Sequence, residues 1–485
     1  MESHYLLFIS ALALLSCASP QETAPVEPSS NDVTSERGSS SLMSSQSSET
    51  KISYDRNPLD EPLIGNQYYL NHIGDIYSCW KQYRGDGVTI AVIDVGFDAY
   101  HEDFYYADGT HKVLSDSAAF AYDPSSSQAD PSTGVITTVG INHISAGSES
   151  HGTFCAGVAA AAVNGKGVAG IAPNASLLLL KTDCKPRSVR EAFYYASNHG
   201  AKVISISIGS YYDYEGDLQN DGISNLSTVF NDAIEQCYNK GIVVCSAAGN
   251  GGGSRPTEYT YPGAVNHVIG VGGLAANSSG EIWSGSSYNS SQQYQFCDVF
   301  APSEEMYGCC NHSGLKYQGG WQGTSFASPQ VAGLAALYFQ KNPSKTAADF
   351  ETALFQSCHK IETSSIANAS QLGYGRVDAG RLLGIACGAK SVNVRVQSSF
   401  DTLYCYAWNL KEERENAAWP GVAMSKVNGV YQCNVPTGTY ESLVITKGKD
   451  GPQSIDLLVP VFQDGHTYVL PSFSDSPYLI GSYSK

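Results

Sequence analysis

The 485-residue chain is 42% hydrophobic and 15% charged, and it carries a formal net charge of −18 at pH 7. This length allows roughly two or three domains and a large buried core. A phosphate-binding surface needs clustered Lys and Arg, and 28 basic residues against 46 acidic ones provide no such cluster, which argues against a nucleic-acid partner.

The chain begins with an apolar run, residues 6–15, that is too short to span a membrane. Its position and length predict a signal peptide over residues 1–17, although no Lys or Arg precedes it. The run ends in Leu-Leu-Ser-Cys17, which resembles a bacterial lipobox, whose cysteine is lipidated after cleavage. The alternative is an ordinary signal peptide cut near Ala18. We expect an exported protein in either case, extracellular or held at the cell surface as a lipoprotein, with Cys17 as its link to the membrane.

Thirteen cysteines fit an exported chain in an oxidising compartment, and twelve of them remain to form disulfides if Cys17 carries lipid. Their spacing does not define which cysteines pair. Residues 18–57 are rich in Ser, Glu, Thr and Pro and nearly lack large apolar side chains. Such a composition cannot bury a core, so it predicts a disordered tether rather than a folded inhibitory pro-domain.

From residue 88 onward, short apolar strands alternate with helical segments. The predicted strands are 88–94, 177–182, 202–207 and 242–247, and the predicted helices are 152–162, 189–198 and 228–239. This alternation predicts an α/β domain over residues 58–386, with a doubly wound parallel sheet that is covered by helices on both faces. Active sites of such sheets form at the carboxyl ends of the strands, where Asp94 and Asn250 fall.

Three segments of this domain carry candidate catalytic side chains. Asp94 ends a predicted strand beside a glycine, where an ordinary turn aspartate is the alternative. His151 opens a helix of small residues, where a capping or packed histidine is the alternative. Ser325 follows Gly-Thr at a tight turn into a helix, and Pro329 falls within the first helical turn. This turn exposes the Ser325 hydroxyl at the positive end of the helix dipole, which favours developing negative charge.

These segments, in the order acid, base and nucleophile, resemble the subtilisin family. The resemblance covers about residues 58–383 and includes Ser-Ile-Gly209, Ala-Ala-Gly-Asn250 and Gly-Tyr-Gly-Arg-Val-Asp378. It implies that Ser325 attacks the scissile carbonyl, that His151 takes and returns the proton, and that Asp94 orients the imidazole. No cofactor is required for this chemistry.

The same resemblance implies roles for residues around the triad. Asn250 would donate its side-chain amide to the oxyanion, together with the Ser325 backbone N–H. The substrate backbone would pair as an added strand with Ser207, Ile208 and Gly209. Thr260 would line the base of a tolerant, medium-sized first specificity pocket; the alternative is a preference for basic residues, set by neighbouring Glu258.

Two positions depart from the family pattern, and neither performs chemistry. Val95 stands where Thr or Ser is usual, and Phe154 stands where a second His is frequent. Cys155, on the catalytic helix, is interpreted as a buried apolar filler rather than a nucleophile.

Structural calcium is the one metal that the resemblance implies. Asp103 keeps the family's spacing from Asp94, and the aspartate at that position is a calcium ligand in many members. The loop 164–167, where further ligands would lie, is short. The segment 213–221 offers closely spaced carboxylates, either for calcium or simply as a solvated acidic loop.

Residues 389–485 alternate apolar and polar positions in short runs between turn signals, which predicts a small antiparallel β-sandwich. The sequence resembles starch-binding carbohydrate modules. This resemblance implies that Tyr406, Trp408 and Trp419 stack on the sugar faces of a starch-like glycan, with Gln453 as a polar partner. The alternative is that these rings form the core of an accessory sandwich. Cys405 and Cys433 are the only cysteines of this region, so we expect them to pair.

The sequence therefore favours a serine endopeptidase that acts on extended polypeptide substrates. The main alternative is a carbohydrate-binding surface lipoprotein whose peptidase domain is vestigial, and the intact set of Asp94, His151, Ser325 and Asn250 argues against it. A sedolisin-type acid peptidase shares the Gly-Thr-Ser motif but uses Glu as its base, so the His151 motif argues against that class.

Overall fold

The computed structural model describes residues 56–145, 149–211, 226–258, 260–276, 281–290, 295–312, 314–361, 366, 369–385, 391–409, 414–436, 440, 442–449, 451–454, 457–458, 467–470 and 482–484. The predicted signal peptide, the lipobox cysteine Cys17 and nearly all of the predicted tether lie outside the described residues. The acidic segment 213–221 also lies outside them.

A large sheet organises the first part of the described chain. Its strands are β1 (Thr89–Asp94), β2 (Ala118–Tyr122), β3 (Val135–Val139), β4 (Ser176–Thr182), β5 (Val203–Ile206), β7 (Val243–Ala247), β9 (Val268–Leu274), β10 (Val299–Pro302) and β13 (Gly375–Arg376). The strand order is β13-β10-β9-β7-β5-β1-β4-β2-β3, and only β2 and β3 pair antiparallel. The predicted mostly parallel sheet is confirmed.

Shorter strands and helices surround this sheet. Two small antiparallel pairs are β6 (Ser210–Tyr211) with β8 (Thr260–Tyr261), and β11 (Met306–His312) with β12 (Leu315–Trp321). The α-helices are α1 (Ile76–Trp80), α2 (Glu149–Ala160), α3 (Pro186–Asn198), α4 (Leu226–Asn239), α5 (Ser328–Lys341), α6 (Ala347–Ser357) and α7 (Ala379–Leu382). Short 3-10 turns include Glu102–Phe104 and Thr324–Phe326. Among the described residues, no helix combines the length and the apolarity that crossing a bilayer requires.

Helices cover both faces of the large sheet, as the apolar runs of its strands require. On β1, Ile90 and Val92 belong to the same buried cluster as α2 and α5, whereas Ala91 and Ile93 join the cluster that contains α3 and α4. Successive strand residues point to opposite faces, so a continuous apolar run serves two helix layers. The carboxyl ends of β1, β5 and β7 consequently lie side by side at one edge between these layers.

The C-terminal part forms two further sheets. One contains β14 (Ser391–Gln397), β18 (Ser425–Val427), β19 (Val430–Pro436), β22 (Thr467–Val469) and β23 (Ser482–Ser484). The other contains β15 (Tyr404–Asn409), β16 (Arg414–Glu415), β17 (Val422–Ala423), β20 (Ser442–Thr446) and β21 (Leu457–Leu458). All pairs are antiparallel except β14 with β22, which is parallel and differs from the expectation. The sandwich arrangement and the domain limits stay predictions.

The described cysteines carry free thiols, so the disulfides expected from an oxidising compartment are not observed among them. Cys405 on β15 and Cys433 on β19 belong to different sheets, and the neighbouring Cys433 thiol and then burial raise the pKa of Cys405 well above its ordinary value. Their predicted pairing stays a prediction.

Candidate active site

Asp94 and His151 meet at the carboxyl edge of the large sheet. Asp94 is the last residue of β1 and is fully buried, and its Oδ1 accepts a hydrogen bond from the Val95 amide at 2.8 Å. His151 Nδ1 lies 2.8 Å from Asp94 Oδ1 and 3.0 Å from Oδ2. A carboxylate in this position holds the imidazole with its proton on Nδ1, which leaves Nε2 to exchange a proton with a nucleophile.

Close packing of helix α2 brings the imidazole to Asp94. The helix begins at Glu149, earlier than predicted, so His151 lies within its first turn instead of opening it. An ideal Cβ added at Gly152 would lie 2.2 Å from the Gly96 carbonyl oxygen and 2.8 Å from the Phe97 ring. Only glycine therefore allows α2 to approach the loop after β1 this closely.

Ser325 lies in the 3-10 turn that precedes α5, and its side chain is buried. Its Oγ donates to the Ser207 carbonyl at 3.2 Å, and the Ser207 hydroxyl donates to the Ser325 carbonyl at 2.7 Å. His151 Nε2 is buried and has no hydrogen-bond partner among the described residues. The bond between nucleophile and base is thus not formed in this conformation, as is common for catalytic hydrogen bonds in the absence of substrate.

Asn250, which follows β7, lies beside the Ser325 turn. Its Oδ1 accepts hydrogen bonds from the Thr324 amide at 3.0 Å and from the Thr324 hydroxyl at 2.9 Å. An ideal Cβ added at Gly323 would lie 3.4 Å from Asn250 Nδ2, so the amide nitrogen lies along the turn that carries Ser325. Because Oδ1 is held from two directions, the side-chain amide has a fixed orientation with its donor nitrogen on the other side. Sequence reasoning missed this role of Thr324, although the residue belongs to the Gly-Thr-Ser motif.

The substrate-binding candidates are mostly engaged in contacts within the protein. Ser207 is buried and forms two hydrogen bonds with Ser325, one through its hydroxyl and one through its carbonyl. Ile208 is buried, Gly209 is partly exposed, and β6 follows directly and pairs with β8, where Tyr211 lies opposite Thr260. Thr260 is buried and its hydroxyl donates to the Ala248 carbonyl at 2.8 Å. Its place in a specificity pocket stays a prediction.

Cys155 lies behind the three candidate catalytic residues. Its thiol donates to the Ser325 carbonyl at 3.4 Å. Complete burial, and then the negative charge of Asp94, raise the pKa of this thiol well above its ordinary value. Because only the thiolate is a strong nucleophile, this environment favours an unreactive packing residue.

Replacing Cys155 with alanine should therefore leave kcat/KM within about tenfold of the parent value, since an apolar side chain of smaller volume leaves the catalytic groups in place. Hydrolysis of a fluorogenic peptide by the purified variant measures this. Iodoacetamide should leave the folded parent enzyme active at pH 8. A loss comparable to that of the Ser325→Ala variant would instead show that the thiol takes part in catalysis.

The four carbohydrate-binding candidates do not form one exposed platform: Tyr406 and Trp408 lie on β15, whereas Trp419 lies in the turn before β17. Trp408 is only 5% exposed, because its ring is covered and stacks with Tyr406 at a centroid distance of 5.7 Å. The expectation that Trp408 is an exposed platform is therefore wrong. Trp419 is 37% exposed, its ring lies 5.2 Å from that of Tyr406, and its Nε1 donates to the Lys449 carbonyl. Gln453 joins the sheet that contains β15 through a bridge to Thr446.

Asp103, the candidate calcium ligand, is fully buried, and protein donors already surround its carboxylate. The Val168 amide donates to Oδ2 at 3.0 Å and the Tyr317 hydroxyl lies 3.0 Å from Oδ1. The Cys309 thiol lies 3.7 Å from Oδ2. Calcium requires six to eight oxygen ligands, so a carboxylate surrounded by hydrogen-bond donors does not fit a calcium site. The expectation for Asp103 is thus not met by its surroundings.

The sequence of this chain is similar to that of known proteins of one family. Residues 85–399 match the Subtilase family. Thermitase from Thermoactinomyces vulgaris is 30% identical over 308 residues, which cover 62% of this chain and 92% of thermitase. Subtilisin NAT from Bacillus subtilis subsp. natto is 34% identical over 278 residues, which cover 56% of this chain and 60% of that protein.

Solved structures share the fold. A protease from Pseudoalteromonas arctica superposes with a TM-score of 0.53 at 23% identity, covering 67% of this chain and 99% of that one. Fervidolysin from Fervidobacterium pennivorans gives a TM-score of 0.50 at 20% identity, covering 78% of this chain and 55% of that one. Since the family match extends over more than half of the sequence, this chain belongs to the subtilase family and is a subtilisin-like serine peptidase.

Proposed function

We propose that this peptidase is an exported endopeptidase that hydrolyses extended polypeptides with Asp94, His151 and Ser325 as its catalytic triad and Asn250 in its oxyanion hole. The observation that carries the proposal is the 2.8 Å contact between His151 Nδ1 and Asp94 Oδ1 at the sheet edge where the Ser325 turn also lies. Turnover of casein and labelling by a fluorophosphonate, compared between the parent and its Ser325→Ala variant, test it.

Acylation begins when the Ser325 hydroxyl leaves the Ser207 carbonyl and turns to His151 Nε2. The proton moves from Oγ to Nε2 while Oγ bonds to the carbonyl carbon of the substrate. Asp94 keeps the imidazole oriented and stabilises the imidazolium. Nε2 then gives its proton to the leaving amine, the C–N bond breaks, and the acyl-enzyme remains. Nε2 then takes a proton from a water molecule whose oxygen bonds to the acyl carbon. The bond from that carbon to Ser325 Oγ breaks, Oγ takes the proton back from Nε2, and the acid product leaves.

The tetrahedral intermediates carry negative charge on the former carbonyl oxygen. Asn250 is suited to stabilise it, because two bonds from Thr324 to Oδ1 fix the amide before the substrate arrives. A donor that is already oriented needs no reorganisation when the charge develops. The Ser325 backbone N–H is the second donor of the proposed oxyanion hole.

Extended substrates fit the backbone next to the nucleophile. Residues 207–209 follow the carboxyl end of β5 without forming a strand of their own, and Gly209 is partly exposed. An extended chain segment can pair with such a backbone as an added strand, which places its scissile bond beside Ser325. Unfolded or flexible polypeptides would therefore be better substrates than compact domains.

Export and surface attachment rest on the sequence of residues 1–17. Lipidation of Cys17 would hold the peptidase at the membrane surface, and the Ser-rich segment 18–57 would separate it from that surface. In a bacterial host, the full-length protein should enter the detergent phase of a Triton X-114 extract, whereas its Cys17→Ser variant should not. Equal partitioning of the two proteins would point to an ordinary cleaved signal peptide.

Glycan binding is a second proposed function, assigned to residues 389–485. The partly exposed Trp419 and its edge-to-face contact with Tyr406 support it, since a ring held in place can stack on a sugar face. Trp419→Ala should weaken retention of the full chain on insoluble starch by about tenfold or more, as expected for the loss of one aromatic stacking contact. A co-sedimentation assay measures this.

The matched control is Tyr374→Ala, which removes another exposed aromatic ring from the peptidase part of the chain. Retention that is absent in the parent, or equal in both variants, would contradict the glycan proposal and favour an accessory role for these strands. Starch binding by a parent protein without any proteolysis would instead support the alternative of a vestigial peptidase.

A further inference from the structure

A buried polar cluster lies at the carboxyl-terminal end of helix α2, the helix that carries His151. Asp103 accepts hydrogen bonds from the Val168 amide at 3.0 Å and from Tyr317, whose hydroxyl also lies 3.1 Å from Glu102 Oε1. The Asp103 carbonyl accepts a bond from the Ala162 amide at 2.8 Å. This aspartate thus joins three parts of the chain: the end of α2, the loop that follows it, and strand β12.

The loop 164–168 presents amide hydrogens, rather than carbonyl oxygens, to the carboxylates around it. Glu61 is buried, and its Oε1 accepts from the Gly165 amide at 2.7 Å and its Oε2 from the Lys166 amide at 3.2 Å. The side-chain Nδ2 of Asn164 donates to the backbone carbonyls of Glu102 and Tyr105, both at 2.9 Å. The Gly167 carbonyl accepts from the Leu63 amide at 2.9 Å.

The side chain of Tyr317 also fits this loop closely. An ideal Cβ added at Gly167 would lie 2.1 Å from the Tyr317 hydroxyl oxygen, so the ring packs directly against the loop backbone. Glycine is therefore needed at residue 167 for this contact to form. The ring therefore lies between the loop backbone and Asp103, with its hydroxyl 3.0 Å from Oδ1.

A buried amine lies in the same region. Lys112 is buried, and its Nζ donates to the Ala160 carbonyl and to the Pro173 carbonyl, the latter at 2.7 Å. Nζ also lies 5.1 Å from the centre of the Tyr106 ring, and burial lowers the pKa of Lys112 to about 7 against the opposing effect of Asp103. The amine can donate to both backbone carbonyls in either protonation state, so it supplies the donors that these buried groups need.

We propose that Glu61, Asp103, Lys112, Tyr317 and the loop 164–168 form a metal-independent clamp, in which loop amides, a tyrosine hydroxyl and the Lys112 side-chain nitrogen hold the end of α2 without a bound cation. A calcium ion needs converging oxygen atoms. Here the loop directs N–H groups at the two carboxylates, and the carbonyls of Gly167 and Ala160 are taken by Leu63 and Lys112.

Thermal unfolding of the full chain tests the clamp, in a Ser325→Ala background that prevents self-cleavage. The Tm measured in EDTA and the Tm measured in millimolar calcium should agree within about 1 °C. Any larger effect of calcium should also be present in the Asp103→Asn variant. Lys112→Met should lower the Tm by about 5 °C or more, because it leaves two buried carbonyls without a donor. Tyr317→Phe should lower it by about 2–4 °C, and calcium should restore neither loss.

The matched control is Lys316→Met. Lys316 is exposed and pairs with Glu102 at 2.8 Å on the surface of the same region, so its loss should change the Tm by no more than about 1 °C. The proposal is overturned if calcium raises the Tm and Asp103→Asn removes that increase. It is equally overturned if elemental analysis finds a stoichiometric metal that this variant loses, or if Lys112→Met is as stable as Lys316→Met.

A calcium effect that is the same with and without Asp103 would locate the ion elsewhere and support the clamp. If Asp103→Asn does not fold, the comparison of Lys112→Met with Lys316→Met and the metal content of the parent still decide the question.

Discussion

Replacing Ser325 with alanine should lower kcat for peptide hydrolysis on the order of 10⁶-fold, the loss that the corresponding change causes in a subtilisin. Without Oγ no acyl-enzyme can form, and only the remaining oxyanion donors and substrate binding contribute to catalysis. KM should change little, because the Ser325 side chain is buried and donates to the Ser207 carbonyl before substrate binds. Fluorogenic peptide hydrolysis and fluorophosphonate labelling of the purified proteins measure the effect.

The control for this loss is Ser328→Ala. Ser328 begins helix α5 close to Ser325 and is also buried, but its hydroxyl donates to the Cys245 carbonyl at 3.0 Å. Its replacement should cost less than about tenfold in kcat, as expected for a side chain outside the reacting groups. Adding His151→Ala to Ser325→Ala should cause no further loss, because a nucleophile and its base act as a unit. Unchanged turnover in Ser325→Ala would refute the assignment of the nucleophile.

Local sequence patterns were sufficient to predict four strands of the large sheet, β1, β4, β5 and β7, and the positions at its carboxyl edge. Strands such as β1 and β4 are continuous apolar runs, and their period and length do not depend on distant contacts. Asp94, His151 and Ser325 each lie in a short segment whose backbone shape is determined nearby, by a strand end, a glycine-rich helix and a tight turn. Their convergence at one edge of the sheet depends on strand order, which the resemblance to a family supplied and spacing alone did not.

Contacts between distant parts of the chain were not predictable. The hydrogen bond between Tyr317 and Asp103 joins residues 214 positions apart. Neither residue type indicates, from its place in the sequence, which distant side chain it contacts. The same limit explains the buried Lys112, which in the sequence resembles any surface lysine. The expectation of calcium at Asp103 followed from the family resemblance, which does not include the donors that β12 and the loop 164–168 contribute.

In the C-terminal part, alternation predicted strands but not their exposed faces. Tyr406 and Trp408 share one face of β15, and only the covering of Trp408 by its surroundings distinguishes them. The parallel pairing of β14 with β22 joins strands separated by most of this region, and residue patterns carry no signal for such a pair. The burial of a side chain and the pairing of strands depend on how the sheets assemble, so the local sequence pattern does not predict them.

Replacing Asn250 with alanine should lower kcat by about 10²–10³-fold with little change in KM, the effect established for the same change in a subtilisin. The proposed donor acts on charge that exists only in the transition state, so its loss should not weaken binding of the uncharged substrate. Asn250→Asp should be more damaging than Asn250→Ala, because it places a carboxylate where negative charge develops. Steady-state kinetics with a fluorogenic peptide separate kcat from KM.

Thr324→Val provides the matched control, because it acts on Asn250 without touching the substrate. It removes the hydroxyl bond to Oδ1 at 2.9 Å and the acceptor of the Gly249 amide at 3.1 Å, but it keeps the backbone bond at 3.0 Å, so the Asn250 amide loses one of its two bonds from Thr324. Its kcat should fall by about tenfold, less than for Asn250→Ala, because one oriented hydrogen bond remains. The same substitution in the Asn250→Ala background should cost much less than tenfold. A loss confined to KM, or additive losses from residues 250 and 324, would show that the Asn250 amide does not act on the transition state.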